Sequence, residues 1–189
     1  MVLLINACAR KESRTLPLAL EAAKKLGGEV EVLNLYEEDI KPLDENALEL
    51  RQSLCERNEF ENEMFKFAKQ FARAEKIVVA APFWDLSFPA ILKCYTENIC
   101  VCGLTFFYNS VGIPESLCKA ERLCYVTTAG GFIPEQNHGF DYIKQLSECF
   151  FAIKKFDLIK AEGLDIIGAD TRGILADAQK QIDNLNSAG

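Results

Sequence analysis

The sequence predicts an α/β fold, with helices packed on both faces of a five-stranded parallel sheet in a single domain over residues 1–189. Two observations carry this expectation. Five short apolar runs alternate with longer stretches whose apolar residues recur at helical spacing, the pattern of strands joined by helical crossovers. The runs are nearly continuous in apolar residues, as in strands buried on both faces.

Taken in order, Val2–Asn6 reads as the first strand. Leu16, Ala19, Leu20, Ala23 and Leu26 place an amphipathic helix over Thr15–Leu26, which Gly27 and Gly28 end. Val30, Val32, Leu33 and Leu35 make Glu29–Leu35 the second strand. Residues 44–57 are polar and partly helical, and Phe60, Met64, Phe67, Ala68 and Phe71 define a helix over Glu59–Ala74. The third strand, Ile77–Ala81, closes at Pro82, and Pro89 suits the first turn of a helix running to Cys102. Leu123–Thr128 is the fourth strand, Phe140–Ile153 a helix, Phe156–Leu164 the fifth strand and Thr171–Leu185 the closing helix.

Five such strands fit a three-layer sandwich in the flavodoxin-like order 2-1-3-4-5, whose ligands bind beyond the carboxyl ends of the strands at the switch point. Loops 7–14, 82–88 and 129–139 reach that edge.

Composition narrows the function. A net charge of −7 argues against nucleic acid as a partner, because phosphate backbones are bound by clustered Lys and Arg. No stretch approaches the ~18 apolar residues of a membrane span. The N-terminal run has no basic region and no small-residue cleavage site, so a cytoplasmic setting is expected. The eight cysteines (residues 8, 55, 94, 100, 102, 118, 124 and 149) are then expected to be reduced. Cys100 and Cys102 are too closely spaced for a zinc knuckle and the single histidine, His138, is distant, so no metal site is expected.

Three loops carry the chemistry. After the first strand, Cys8, Arg10, Ser13, Arg14 and Thr15 lead into a helix; a helix N-terminus offers unpaired N–H groups and partial positive charge to a phosphate. Ser13 as a simple N-cap is the competing reading. The second loop sets Pro82, Phe83, Trp84, Asp85 and Leu86 at a strand's carboxyl end, where aromatic bulk needs a partner such as a flat ring system. Packing of both rings into the helix behind is the alternative. The third, Thr128-Ala129-Gly130-Gly131, allows close backbone approach to a flat ligand, or is an ordinary turn.

Together these loops resemble the FMN-dependent NADH:quinone oxidoreductases that also reduce azo dyes, within the flavodoxin-like NAD(P)H dehydrogenases. The likeness covers nearly the whole chain. It is most specific from Pro82-Phe-Trp-Asp-Leu-Ser-Phe-Pro-Ala-Ile-Leu-Lys through Gly103-Leu-Thr-Phe-Phe-Tyr108 to Thr128-Ala-Gly-Gly131. The family shows Pro-Met-Tyr-Asn-Phe, Pro-x-x-Leu-Lys, Gly-x-Thr-Phe-x-Tyr and Ser-x-Gly-Gly in that order. Ala161-Glu162-Gly163 also fits. Departures stand at Ala7 or Cys8 for an early serine, Asp85 for Asn, and Thr128 for Ser.

The resemblance implies tightly bound FMN, reduced by NADH or NADPH and reoxidised by a quinone-like or azo acceptor in ping-pong fashion. It implies a homodimer whose second subunit completes the site, with Tyr108 as a wall of the acceptor pocket. His138 is a candidate donor to a quinone oxygen, set against a plain surface histidine. Gly130 and Gly131 N–H groups would face the flavin's pyrimidine end, and the Asp85 carboxylate beside it would make reduction harder. A single-electron carrier with the same fold, and an FMN-free binding protein, are the alternatives.

Overall fold

A computed structural model describes residues 1–185. Its main sheet has five strands: β1 (Val2–Asn6), β2 (Val30–Asn34), β3 (Lys76–Ala80), β6 (Arg122–Thr128) and β7 (Lys155–Ala161). The spatial order is β2-β1-β3-β6-β7 and every pair is parallel, which is the expected order.

Side-chain alternation divides the sheet between two cores. Val2, Leu4, Val78, Val126 and Ile159 meet α1 (Thr15–Leu26) and α6 (Thr171–Asp183) on one face. Leu3, Ile5, Val79, Leu123 and Tyr125 meet α3 (Lys66–Arg73), α4 (Ala90–Ile99) and α5 (His138–Phe151) on the other. Each fully buried Leu, Ile or Phe contributes about 1.5–3 kcal/mol relative to exposure, so these faces fix the register of the strands. A third, smaller cluster of Leu54, Phe65, Ala68 and Val101 seats α2 (Glu45–Glu56).

The helix expected to reach Cys102 stops at Ile99 and the strand expected over Phe156–Leu164 runs Lys155–Ala161, and the chain departs further from the sequence expectation at three other places. The helix expected over Glu59–Ala74 starts later, because the Asn62 side chain accepts the Met64 N–H (3.0 Å) and opens a single 3₁₀ turn, Glu63–Phe65, before α3. Phe60 stays in the preceding turn and stacks edge-on against Phe65. The helix expected from Phe140 starts at His138, since the Asn137 side chain caps the Gly139 and Phe140 N–H groups. An unexpected antiparallel hairpin, β4 (Phe106–Tyr108) with β5 (Pro114–Ser116), interrupts the α4–β6 crossover.

One buried ion pair joins the last two strands. Arg122 is 3% exposed, and its Nε and Nη2 donate to Asp157 Oδ2 and Oδ1 at 2.6 and 3.0 Å. Removing one member of such a pair strands a buried charge and costs several kcal/mol. Asp157→Asn retains one acceptor, so a loss of about 2–3 kcal/mol is expected. It should appear in urea unfolding as a lower midpoint with an unchanged slope.

Candidate functional site

The loops after β1, β3 and β6 meet at the carboxyl edge of the sheet. The ladder runs on into them: Ala7 N–H donates to Ala80 O (2.9 Å), Ala81 N–H to Val126 O (3.0 Å) and Phe83 N–H to Thr128 O (2.9 Å). Between the loops lies a cavity of about 240 Å³.

The first loop forms its donor-rich end. Ser13 Oγ accepts the N–H groups of Thr15 (3.1 Å) and Leu16 (3.4 Å), so the hydroxyl satisfies donors that an incoming phosphate would take over. The capping reading of Ser13 and the phosphate reading are thus two uses of the same N–H groups. Thr15 is fully buried, and its hydroxyl bonds the Thr128 hydroxyl at 2.7 Å, tying the first loop to the third. Cys8 lies beneath, its N–H held by Asn6 Oδ1 (3.0 Å) and its thiol directed at Ala80 O (3.7 Å). Burial raises the Cys8 thiol pKa, partly offset by hydrogen bonds from Ser13, Thr15 and the Leu16 backbone. The floor of the cavity is therefore neutral at pH 7, and no thiolate opposes an anion there.

Arg10 and Arg14 both line the cavity. Arg14 reaches across to the loop after β7, with Nη1 2.9 Å from Asp165 Oδ1 and Nη2 3.2 Å from Oδ2. The guanidinium holds the exposed Asp165 carboxyl below its ordinary range. Asp165 was not found from the sequence, since its partner is 151 positions away and no local motif marks it.

The second loop supplies a wall and a tight turn. Pro82, Phe83 and Trp84 line the cavity, and Trp84 stays 38% exposed instead of packing inward. Trp84 and Ser87 exchange backbone hydrogen bonds in both directions (3.1 and 2.8 Å) around a two-residue turn. Both central residues, Asp85 (φ 49°) and Leu86 (φ 66°), are left-handed, as in primed hairpin turns. Asp tolerates this conformation, whereas Leu does not, at a cost of about 1–2 kcal/mol. Asp85 and Leu86 sit at the exposed tip and are outside the cavity lining.

The third loop is bound to the chain after β7. Ala129 N–H donates to Ala161 O, Asp165 N–H to Gly130 O and Gly163 N–H to Gly131 O, all at 2.8–2.9 Å. Glu162 adds a side-chain staple by accepting Ile133 N–H (2.9 Å). Gly130 lines the cavity with Asp165 against it: a Cβ there would fall 2.3 Å from Asp165 Oδ2. Gly131 is exposed, with open space where a Cβ would stand, and Ala129 is buried behind it.

Two sequence candidates lie elsewhere on the chain. Tyr108 is 53% exposed on the β4 hairpin, edge-on to Phe106, and His138 is exposed on the first residue of α5. Neither lines the cavity.

A doubly wound sheet of this order, with an anion-ready helix start after its first strand and a cleft at the switch point, defines a flavodoxin-like protein. The chain belongs to the family described as having the flavodoxin-like fold, whose family model matches residues 1–185. It is 38% identical over 186 residues to the FMN-dependent NADH:quinone oxidoreductase 2 of Clostridium acetobutylicum, covering 92% of each chain. It is 33% identical over 189 residues to the FMN-dependent NADH:quinone oxidoreductase of Coprothermobacter proteolyticus, covering 95% of this chain and 94% of that one. Among solved structures, an azoreductase from Bacillus anthracis superposes with a TM-score of 0.82 at 19% identity over 96% of each chain. An FMN-dependent NADH-azoreductase from the same organism, in complex with FMN, gives 0.78 at 23% identity over 96% of this chain and 95% of that one.

The left-handed Leu86 generates a stability test. Leu86→Gly removes the Cβ conflict but frees the unfolded chain, leaving a net gain of about 0.5–1 kcal/mol. A rise in melting temperature of roughly 2 °C is expected by calorimetry, and a fall would refute the strained turn.

Proposed function

We propose that the chain is an FMN-dependent oxidoreductase that takes two electrons from NADH or NADPH and delivers them to a quinone-like or azo acceptor. The observation that carries this reading is the cavity: a helix start with N–H donors, Arg10 and Arg14 balanced by Glu12 and Asp165, and an aromatic and glycine wall. Relatives bearing that activity in their names and aligning over nearly the whole chain support it.

The residues present fit the group. The Thr15 and Leu16 N–H groups, which Ser13 Oγ now accepts, would hold the phosphate, with the Ser13 hydroxyl as a further donor. Arg10 and Arg14 add charge, and the neutral Cys8 thiol stands in place of a hydroxyl. Phe83 and Trp84 would offer their rings to the flavin, and the lack of a side chain at Gly130 lets Asp165 close against the third loop. The Gly130 backbone in the lining would help stabilise negative charge on the reduced ring, whereas Asp85, at the exposed tip outside the lining, is too far out for the opposing role the sequence suggested. Bound FMN supplies the redox chemistry, accepting a hydride equivalent from the nicotinamide and returning two electrons to the acceptor.

The same reading makes the chain a cytosolic homodimer whose second subunit brings Tyr108 and His138 to the acceptor side. What supports it is the exposed apolar surface of the hairpin: Phe107, Tyr108, Val111 and Ile113 are 37–75% exposed. Eight free thiols fit a reducing compartment. Among the described residues no helix is long and apolar enough to cross a membrane.

Purified protein supplemented with FMN is expected to oxidise NADH rapidly with menadione, with parallel double-reciprocal lines when both substrates vary. Failure to bind FMN or to oxidise either nicotinamide would overturn the proposal. Ser13→Ala should weaken FMN by about tenfold, the ~1.5 kcal/mol of a hydrogen bond to a charged group, in a fluorescence-quenching titration. Light scattering should give twice the 21.2 kDa chain mass; a fully active monomer would refute the dimer.

A further inference from the structure

A second surface groove shares no residue with the first. It has a volume of about 440 Å³ and lies between the end of α2 and the segment following α4. Three of the eight cysteines line it: Cys55, Cys100 and Cys102. Cys55 sits in the last turn of α2 and packs on the small cluster that contains Val101. Val101 is 1% exposed, so the backbone is pinned between Cys100 and Cys102, and the exposed Cys102 is held beside that cluster. Cys102 then pairs through its backbone with Phe106, the first residue of the aromatic hairpin.

The surroundings set the two thiols apart. Arg51, one turn before Cys55, donates Nη1 to Glu97 O (3.0 Å), fastening α2 to α4 and placing a cation in the groove. Cys55 and Cys102 line the same groove, and burial, with a smaller contribution from the charge of Cys102, raises the Cys55 thiol pKa despite Arg51, which suits Cys55 to the second step and not the first. Among the described residues no group of His, Cys, Asp and Glu is arranged to hold a metal ion.

We propose that Cys55 and Cys102 are a dithiol that low-molecular-weight disulfides oxidise to an intramolecular disulfide, clamping α2 to the root of the β4–β5 hairpin. The Cys102 thiolate attacks one sulfur of the small disulfide and expels its other half as a thiolate. Cys55 then attacks the Cys102 sulfur of the mixed disulfide and expels the second half. One protein S–S bond forms and one small-molecule S–S bond is lost. Two electrons pass to the oxidant, and the two protein thiol protons leave on the two released thiols. Cys102 attacks because it is exposed, whereas Cys55 is half-buried. Cys100 is a spectator: burial against the main core pushes its thiol up to about 11.

The test incubates the full chain, FMN-loaded, with oxidised glutathione, alkylates remaining thiols and maps linkages by mass spectrometry. A Cys55–Cys102 linkage is expected, formed equally in Cys100→Ser. Cys55→Ser, or Cys55→Ala should the serine variant misfold, is expected to stop at a glutathione adduct on Cys102. Cys149, exposed on α5 outside the groove, is the control for unspecific reaction. A stable glutathione adduct on Cys102 of the unmodified chain, a Cys100–Cys102 linkage, or no reaction at Cys102 would each overturn the proposal, and none of these requires a variant.

Discussion

A parallel sheet cannot be closed by hairpins. Each strand must leave at the same edge and return over a face, so every loop that follows a strand opens on one side of the molecule. The burial of both sheet faces enforces this here, because α1 and α6 cover one and α3, α4 and α5 the other. Since β1 lies between β2 and β3, the loops after β1 and β3 start as neighbours and diverge to opposite faces. The cavity is the space they leave. Its position follows from topology, and its chemistry from which side chains those loops carry.

The electrostatics of the cavity are those of a site prepared for an anion. Its cations are arginines, and one of them is occupied by Asp165 across the mouth. Its helix donors are occupied by Ser13, and its thiol stays protonated. Arg14, the helix donors and the Cys8 thiol each have a local partner of modest strength, so exchanging that partner for a dianion leaves few groups unsatisfied. Preparation of this kind keeps the loops ordered without spending the binding energy in advance.

Much of this was legible in the residues, and the failures have physical causes. Continuous apolar runs placed the five strands, and the meeting of the loops after β1, β3 and β6 at one edge was legible because topology converts strand order into position. The β4–β5 hairpin was missed because each strand is only three residues long, too short for alternation to register. The start of α3 was missed because Phe60 continues the helical spacing while the Asn62 side chain breaks the backbone. The left-handed turn at Asp85 and Leu86 gave no sign because neither is glycine; the paired backbone hydrogen bonds between Trp84 and Ser87 impose it. Asp165 depends on a contact between the chain's two ends, which no local pattern encodes.

The bonding of the 129–131 loop to the chain after β7 bears on how the protein is made. Ribosomal synthesis delivers β1, its phosphate-ready loop and β3 early, at about 5–20 residues per second. Yet the Gly130 wall has no hydrogen-bond partners until Ala161, Gly163 and Asp165 have emerged, and Arg14 waits for Asp165 as well. The nascent chain therefore carries an unfinished cleft through most of its translation, and any fragment ending before β7 is deprived of the cleft's far side. A closed cleft belongs to the polypeptide that has passed its last strand, which makes that strand the step that completes the far wall.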